Sequence, residues 1–479
     1  MRQSERDSRV SAKQESGDRR PDSADAVAAY LASTRYEALP KSVVDAAKAG
    51  ILDIIGCILA GTGCDEVAKI GEMVDAWAGK PLCTLIGRGR KASPEGAVLY
   101  NASATHQFDF DDVHDRAPCH PSSTSAMPAL AMAEVRGGVS GKAYIAAVAV
   151  GSDITSRVSA AIRGNVHDYP WFRAPVVGLF GATAAAAHVL GASREQHLNA
   201  LGLALPMVGG TFASLQHPGS NVRSIRDGLA YRNSVVAADL AMRGVCGDRE
   251  VFDGPFGFFH AFFGGQYDRD TFVAGLGREY ETDKVSLKPW PSIRHLHTTL
   301  TAVLDIMQQR DLRFADVKKV EVVVGKTNRN RCGPVELGSI PALRMDLLGN
   351  LPFAVANAIL HRDVRLAVYR EPALADKVVR EALPKVSWRY DAAMDGPLTF
   401  ERGLVYITTA SGEQIKGECR HALGHPENPM SEERRHAKFR LCAEAAARPP
   451  APARVQEIIE AVERLETLPD VAALASLIA

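Results

Sequence analysis

Gly50-Ile51-Leu52-Asp53-Ile54-Ile55-Gly56-Cys57-Ile58-Leu59-Ala60-Gly61 puts isoleucine or leucine at 51, 54, 55, 58 and 59. Spacings of three and four gather on one face of a 3.6-residue helix, whereas a strand would divide them between its two faces. Pro40 precedes this helix and Gly61 closes it. Outward from it, Ala-rich segments at 94–104, 123–136, 142–158, 177–190, 194–205 and 226–242 are separated by Gly, Pro or Ser, so the chain to about residue 280 reads as closely packed helices. The pattern changes after Thr282. Runs rich in β-branched residues at 317–324 and 404–409 read as strands, with helical periodicity at 296–309, 351–360 and 373–381, which makes a smaller α+β unit. From Ser431 helical spacing returns, with Val455, Ile458, Ile459, Val462 and Leu465 on one face. The fold class is therefore mainly α: a large all-helical domain over 25–283, a smaller α+β unit over 284–424, and C-terminal helices over 425–479 that return to the helical domain.

The 479 residues carry 56 Lys+Arg against 56 Asp+Glu, so no overall field favours nucleic acid or a membrane surface as partner. Residues 1–24 are polar and lack the apolar stretch of a secretory signal, and read as a disordered arm. Segment 175–192 is too rich in Gly and Ala for a membrane span. Eight cysteines without a CxxC pair match neither a disulfide framework nor a zinc finger, which points to a reducing cytoplasm. GxxxxGK[ST], GxGxxG after a strand, HExxH and GxSxG are all missing, and with them the usual signatures of nucleotide, zincin and serine-hydrolase chemistry.

Chemistry concentrates in three segments. His106-Gln-Phe-Asp109-Phe-Asp111-Asp112-Val-His114-Asp115-Arg116-Ala-Pro-Cys119-His120-Pro121 holds three histidines and four aspartates within fifteen positions. Bunched carboxylates raise one another's pKa while neighbouring cations lower it, so such a loop can provide both proton acceptor and donor. The plainer alternative is a cap, with an Asp satisfying backbone donors of the following helix. Metal ligation by His106, Asp109 and Asp112 is a further alternative, although no ordered ligand motif supports it, and the expectation is no metal. In Gln216-His217-Pro218-Gly219-Ser220-Asn221-Val222-Arg223-Ser224-Ile225-Arg226-Asp227-Gly228, Arg223 and Arg226 are one helical turn apart and suit an anion, or else form an ordinary solvated face. In Leu287-Lys288-Pro289-Trp290-Pro291-Ser292-Ile293-Arg294-His295-Leu296-His297, Lys288 stands in extended backbone at the seam of the two units, facing a cleft or simply solvent.

These segments, in this order, together with DIIGCILAG at Asp53, Pro128, Ala133-Glu134 and the late GHPENPMS, resemble the MmgE/PrpD family, which includes 2-methylcitrate dehydratase, cis-aconitate decarboxylase and iminodisuccinate epimerase. The resemblance implies a helical domain built from both chain ends, an inserted lid, a homodimer, and cofactor-free chemistry on small polycarboxylates. Asp109 matches the first aspartate of the family's DFDD, His120 the histidine of its HP, and Lys288 the lysine of its KPxPS. His297 matches a histidine that follows that motif. Decarboxylase-like members have a histidine at the place of Arg173, a lysine at that of Arg223 and a tyrosine at that of Phe353. These departures remove proton donors and add fixed positive charge.

The resulting expectation is a cofactor-independent lyase, of dehydratase or decarboxylase type, acting on a small di- or tricarboxylate in the cytoplasm. Asp109, His120 and Lys288 are its catalytic residues, and Arg173, Arg223, Arg226 and His297 hold the substrate. An epimerase of an amino or imino dicarboxylate is the second expectation, and a non-catalytic polycarboxylate-binding protein the third.

Overall fold

The computed structural model describes residues 20–77, 79–164, 168–215, 220–335, 340–396 and 400–479. The helices α1 (Ser23–Ser33), α2 (Lys41–Gly61), α3 (Asp65–Ala76), α4 (Pro94–Thr105), α5 (Pro121–Arg136), α6 (Gly141–Ala161), α7 (Arg173–Val189), α8 (Arg194–Ala204) and α9 (Val222–Met242) make up the first part of the chain. Residues 1–19 of the expected arm lie outside the described residues. At its far end the arm gives way to structure: α1 already begins at Ser23, which is buried, and the Asp22 side chain accepts from the Ala24 amide.

Local chemistry starts these helices. Ser93 caps α4 ahead of Pro94, Pro121 opens α5, and Ser193 and Gln196 form a capping box on α8. Small residues then let the helices meet. A Cβ on Gly181 of α7 would lie 1.9 Å from Thr155 Oγ1 and 2.4 Å from the Gly151 carbonyl, so α6 and α7 touch backbone to backbone only because that position is glycine.

A short hairpin, β1 (Cys83–Leu85) with β2 (Arg90–Ala92), leads into α4. More consequential is the antiparallel pairing of β3 (Val113–His114) with β4 (Val285–Ser286), which fastens the acidic segment to the seam peptide in the register Val113 to Ser286. Beyond the seam, α10 (His297–Gln309), α11 (Ile340–Leu348) and α12 (Leu351–His361) accompany a four-stranded sheet of β5 (Val317–Val324), β6 (Val386–Tyr390), β7 (Gly403–Thr409) and β8 (Gln414–Cys419). Its order is β6-β5-β7-β8, with β5 and β6 parallel and the other pairs antiparallel. α10 covers β7 and β8. Finally α13 (Glu432–Glu444) and α14 (Pro452–Glu463) pack on α2, near the start of the chain. The protein is mainly α with one small sheet-bearing part, and no described helix is long and apolar enough to cross a membrane.

Candidate functional site

The loop between α4 and α5 divides its charged residues between two tasks. Asp112 takes the capping role: its carboxylate accepts the Ser122 amide at 2.7 Å and the Ser123 amide at 3.4 Å at the start of α5. His114 pairs with Glu281 at 3.0 Å, and Asp115 forms a two-pronged pair with Arg294 at 2.9 and 2.7 Å, so these two tie the loop to the seam.

The other members converge on Asp109 and Asp111. Asp109 has φ of 47°, a left-handed conformation that is costly for a residue with a Cβ. Its Oδ1 lies 2.5 Å from Lys288 Nζ, and its Oδ2 lies 2.9 Å from Arg223 Nη2 and 3.3 Å from His106 Nε2. The β3–β4 register delivers Lys288: two residues beyond Ser286, it stands opposite Asp111, with Nζ 3.7 Å from Asp111 Oδ1. Asp111 also meets His106 Nδ1 at 2.9 Å and His120 Nδ1 at 3.0 Å. Burial alone would raise both carboxyls. Lys288, His106 and Arg223 outweigh it at Asp109, and His106, His120 and Lys288 at Asp111, and hold both well below the usual carboxylate range.

His120 Nδ1 faces two oxygens, the Asp112 carbonyl at 2.6 Å and Asp111 Oδ2, so it must carry a proton. In the neutral ring the lone pair is therefore on Nε2. Burial lowers the His120 pKa, but Asp111 more than compensates and leaves it raised.

Further guanidinium groups lie nearby: the charge of Arg226 acts on His120, and that of Arg173 on Cys119, the residue before His120. Arg173, the first residue of α7, is buried and has Nε and Nη2 without hydrogen-bond partners, the paired edge that grips a carboxylate. Arg226 is likewise buried. It donates from Nη1 to the Arg223 carbonyl at 2.7 Å, lies over the Phe172 ring at 4.4 Å and places Nε 3.4 Å from Asp227. A cavity of about 290 Å³ opens beside it, walled by Phe172, Pro175 and Val222. Arg331, between β5 and α11, is a residue the sequence reading missed. Its Nε is buried without a partner, and its charge acts on Arg223 and Asp109. No spacing or motif marks it, because it reaches the site only through the folding of the sheet-bearing part.

His297 is fully buried, with Nε2 3.0 Å from Ser292 Oγ and 3.3 Å from the Ser292 carbonyl. Burial, aided by Arg294 and Lys288, holds it well below its ordinary value, so it is a neutral ring. Phe353 is buried with its ring 5.8 Å from that of Tyr369. Residues 216–219 of the second segment, His217 among them, lie outside the described residues. The ligand atoms of His106, Asp111 and His120 come within 4.8 Å of one another, close enough to hold a metal. However, both rings already point a nitrogen at Asp111, and Lys288 stands 3.7 Å from the oxygen that His106 uses. A divalent cation would face an ammonium there, and the donor set suits proton sharing better.

Fold and site together define a mainly helical enzyme with a buried acid–base network. The chain belongs to the MmgE/PrpD family, whose N-terminal domain matches residues 25–270 and whose C-terminal domain matches residues 290–465. It is similar to the cis-aconitate decarboxylase-like protein oryM of Aspergillus oryzae, at 26% identity over 92% of this chain and 94% of that protein. It is also similar to the cis-aconitate decarboxylases of Aspergillus terreus, at 26% over 92% of each chain, and of Homo sapiens, at 25% over 92% of this chain and 91% of the human one. These likenesses make it a lyase of the MmgE/PrpD type.

Proposed function

We propose that this lyase acts without a cofactor on a small di- or tricarboxylate, removing a proton or a carboxyl group next to a carboxylate-bearing carbon. The observation that carries this reading is the Asp109–Lys288–His120 network lying among guanidinium groups with unpartnered N–H groups. Buried cations of this kind demand an anionic ligand. Arg173, Arg226 and Arg331 receive carboxylates, while Lys288 and Arg223 stabilise the negative charge that develops at the reacting carbon. His120 Nε2 moves the proton. In the free protein Asp109 is a weak base because its cations hold it ionised. When a substrate carboxylate takes over Arg223 and Lys288, that hold loosens and Asp109 becomes a better proton acceptor. His297 packs behind Lys288 as a neutral support.

The stretch 284–424 acts as a lid over this site, and the protein works as a homodimer in the cytoplasm, a compartment in keeping with its eight free cysteines. Arg173 and Phe353 stand where the decarboxylase-like members are expected to have two proton donors. Their loss weakens the case for decarboxylation and, to a lesser degree, for dehydration, and supports as a second reading the epimerisation of an amino or imino dicarboxylate. A proton-NMR screen in deuterated water against citrate-like, tartrate-like and aspartate-derived acids separates the possibilities. A lyase yields an unsaturated or shortened acid, and an epimerase exchanges the α-proton and inverts its carbon. Binding without either change leaves only a carboxylate-binding protein and defeats the proposal.

A further inference from the structure

Asp53 of α2 and Lys438 of α13 form a buried ion pair at 2.5 Å, beneath the acidic loop. Lys438 Nζ also donates to the Phe110 carbonyl at 2.7 Å and lies 4.0 Å from the centre of the Phe110 ring. The preceding carbonyl, that of Asp109, accepts from Lys288 Nζ at 2.8 Å. Two successive carbonyls, that of the residue at φ of 47° and that of the residue after it, thus each take a buried ammonium. Left-handed backbone is unfavourable for a residue with a Cβ, and surrounding contacts help to hold it. The approach of α13 is built into α2: a Cβ on Gly56 would stand 3.1 Å from the Phe439 ring, so little more than glycine fits where α13 crosses. A water-sized cavity bordered by Asp53, Lys438 and Leu287 adjoins the pair and connects it with the peptide that carries Lys288.

We infer that Asp53 and Lys438 are positioning residues: anchored by Asp53, Lys438 locks the Phe110 carbonyl and so holds Asp109 in the conformation that presents its carboxylate to Lys288 and Arg223. The C-terminal helix is then part of the site's machinery although it supplies no group to the substrate. The kinetic consequences rest on the lyase reading proposed above; the conformational claim does not.

The test uses the full chain with Lys438→Met, Lys438→Arg and the double variant Asp53→Asn/Lys438→Met. Lys438→Met leaves Asp53 as a lone buried carboxylate and destabilises the fold, which by itself would lower activity. The double variant removes both charges, and its melting temperature should return toward that of the unaltered protein. Its kcat should nevertheless stay about ten- to a hundredfold low with KM little changed, because a small misplacement of a reacting group has that cost. Lys438→Arg should recover part of the rate. Recovery of kcat together with stability in the double variant would reduce the pair to a structural role and overturn the inference. A crystal structure of the double variant supplies a readout independent of substrate. Asp109 should relax to negative φ, and retention of the left-handed conformation overturns the inference even if no acid is ever turned over.

Discussion

Lys288 holds Asp109 by two atoms, its ammonium lying 2.5 Å from the carboxylate and donating to the main-chain carbonyl at 2.8 Å, across 179 positions of sequence. Removing that ammonium leaves Asp109 with Arg223 and His106 alone. Lys288→Met should cost about 3 kcal/mol in a denaturant melt. It should also lower kcat/KM by about a hundredfold or more, since a preorganised charge at the reacting centre is lost. Lys288→Arg should not restore the rate, because the larger planar guanidinium does not reproduce the compact point charge that the fully buried ammonium places at Asp109 and Asp111. Wild-type kinetics in Lys288→Met would remove this residue from the mechanism.

Asp112 predicts a pH dependence of stability with a definite sign. Burial pushes its carboxyl up to about 6, although the Ser122 amide pulls the other way. An unfolded aspartate titrates near about 3.9, so the folded protein binds this proton more tightly. The stabilisation is complete below about pH 4 and is lost as pH rises through about 6. Asp112→Asn keeps an oxygen for the Ser122 amide but cannot titrate. Urea melts at pH 4, 5, 6 and 7 should show the stability difference, wild type minus variant, falling by about 2–3 kcal/mol across that range. A constant difference would show that Asp112 is ionised throughout.

Arg173 and His120 should separate in the kinetics. Arg173→Lys keeps the charge but loses the paired Nε and Nη2 edge, so KM should rise about tenfold with kcat nearly constant. His120→Ala should lower kcat by about a hundredfold or more while KM changes little. Arg331→Met should resemble Arg173→Lys. If Arg173 instead points away from the ligand in a substrate complex, the carboxylate contact falls to Arg226 or Arg331.

Dialysis against a strong chelator should leave turnover unchanged. Loss of activity restored by one particular divalent ion would make His106, Asp111 and His120 ligands, and the proton-sharing network would have to be redrawn around that ion.

Much of the helical architecture was legible because periodicity is local. The strand at 317–324 coincides with β5, and the segments read at 94–104 and 194–205 match α4 and α8 to within a residue. Edges were less legible. α7 starts at Arg173 and α9 at Val222, each four residues earlier than periodicity suggested, and in both cases the added turn carries an arginine of the site. β6 and β8 are edge strands. Trp388 and Tyr390 face solvent in β6, which therefore lacks the alternation of a half-buried strand, whereas β8 alternates in burial but has Gly417 at an inward position, which weakens its apolar signal.

By itself the sequence determined the fold class, through helical spacing, and the composition of the acidic loop, through bunched aspartates and histidines. It could not divide labour among them. Asp109, Asp111 and Asp112 are nearly adjacent and chemically identical, yet two are held well below the ordinary carboxylate range and the third is pushed up to about 6. Tertiary structure made that choice by bringing Lys288 and Arg223 from distant segments against Asp109 and Asp111, while Asp112 was turned onto the Ser122 amide. An ionisable group's pKa is set by the charges and dipoles within a few ångströms and by exclusion of water, and in this loop the local His106 and His120 act together with Lys288 and Arg223, which come from more than a hundred residues away.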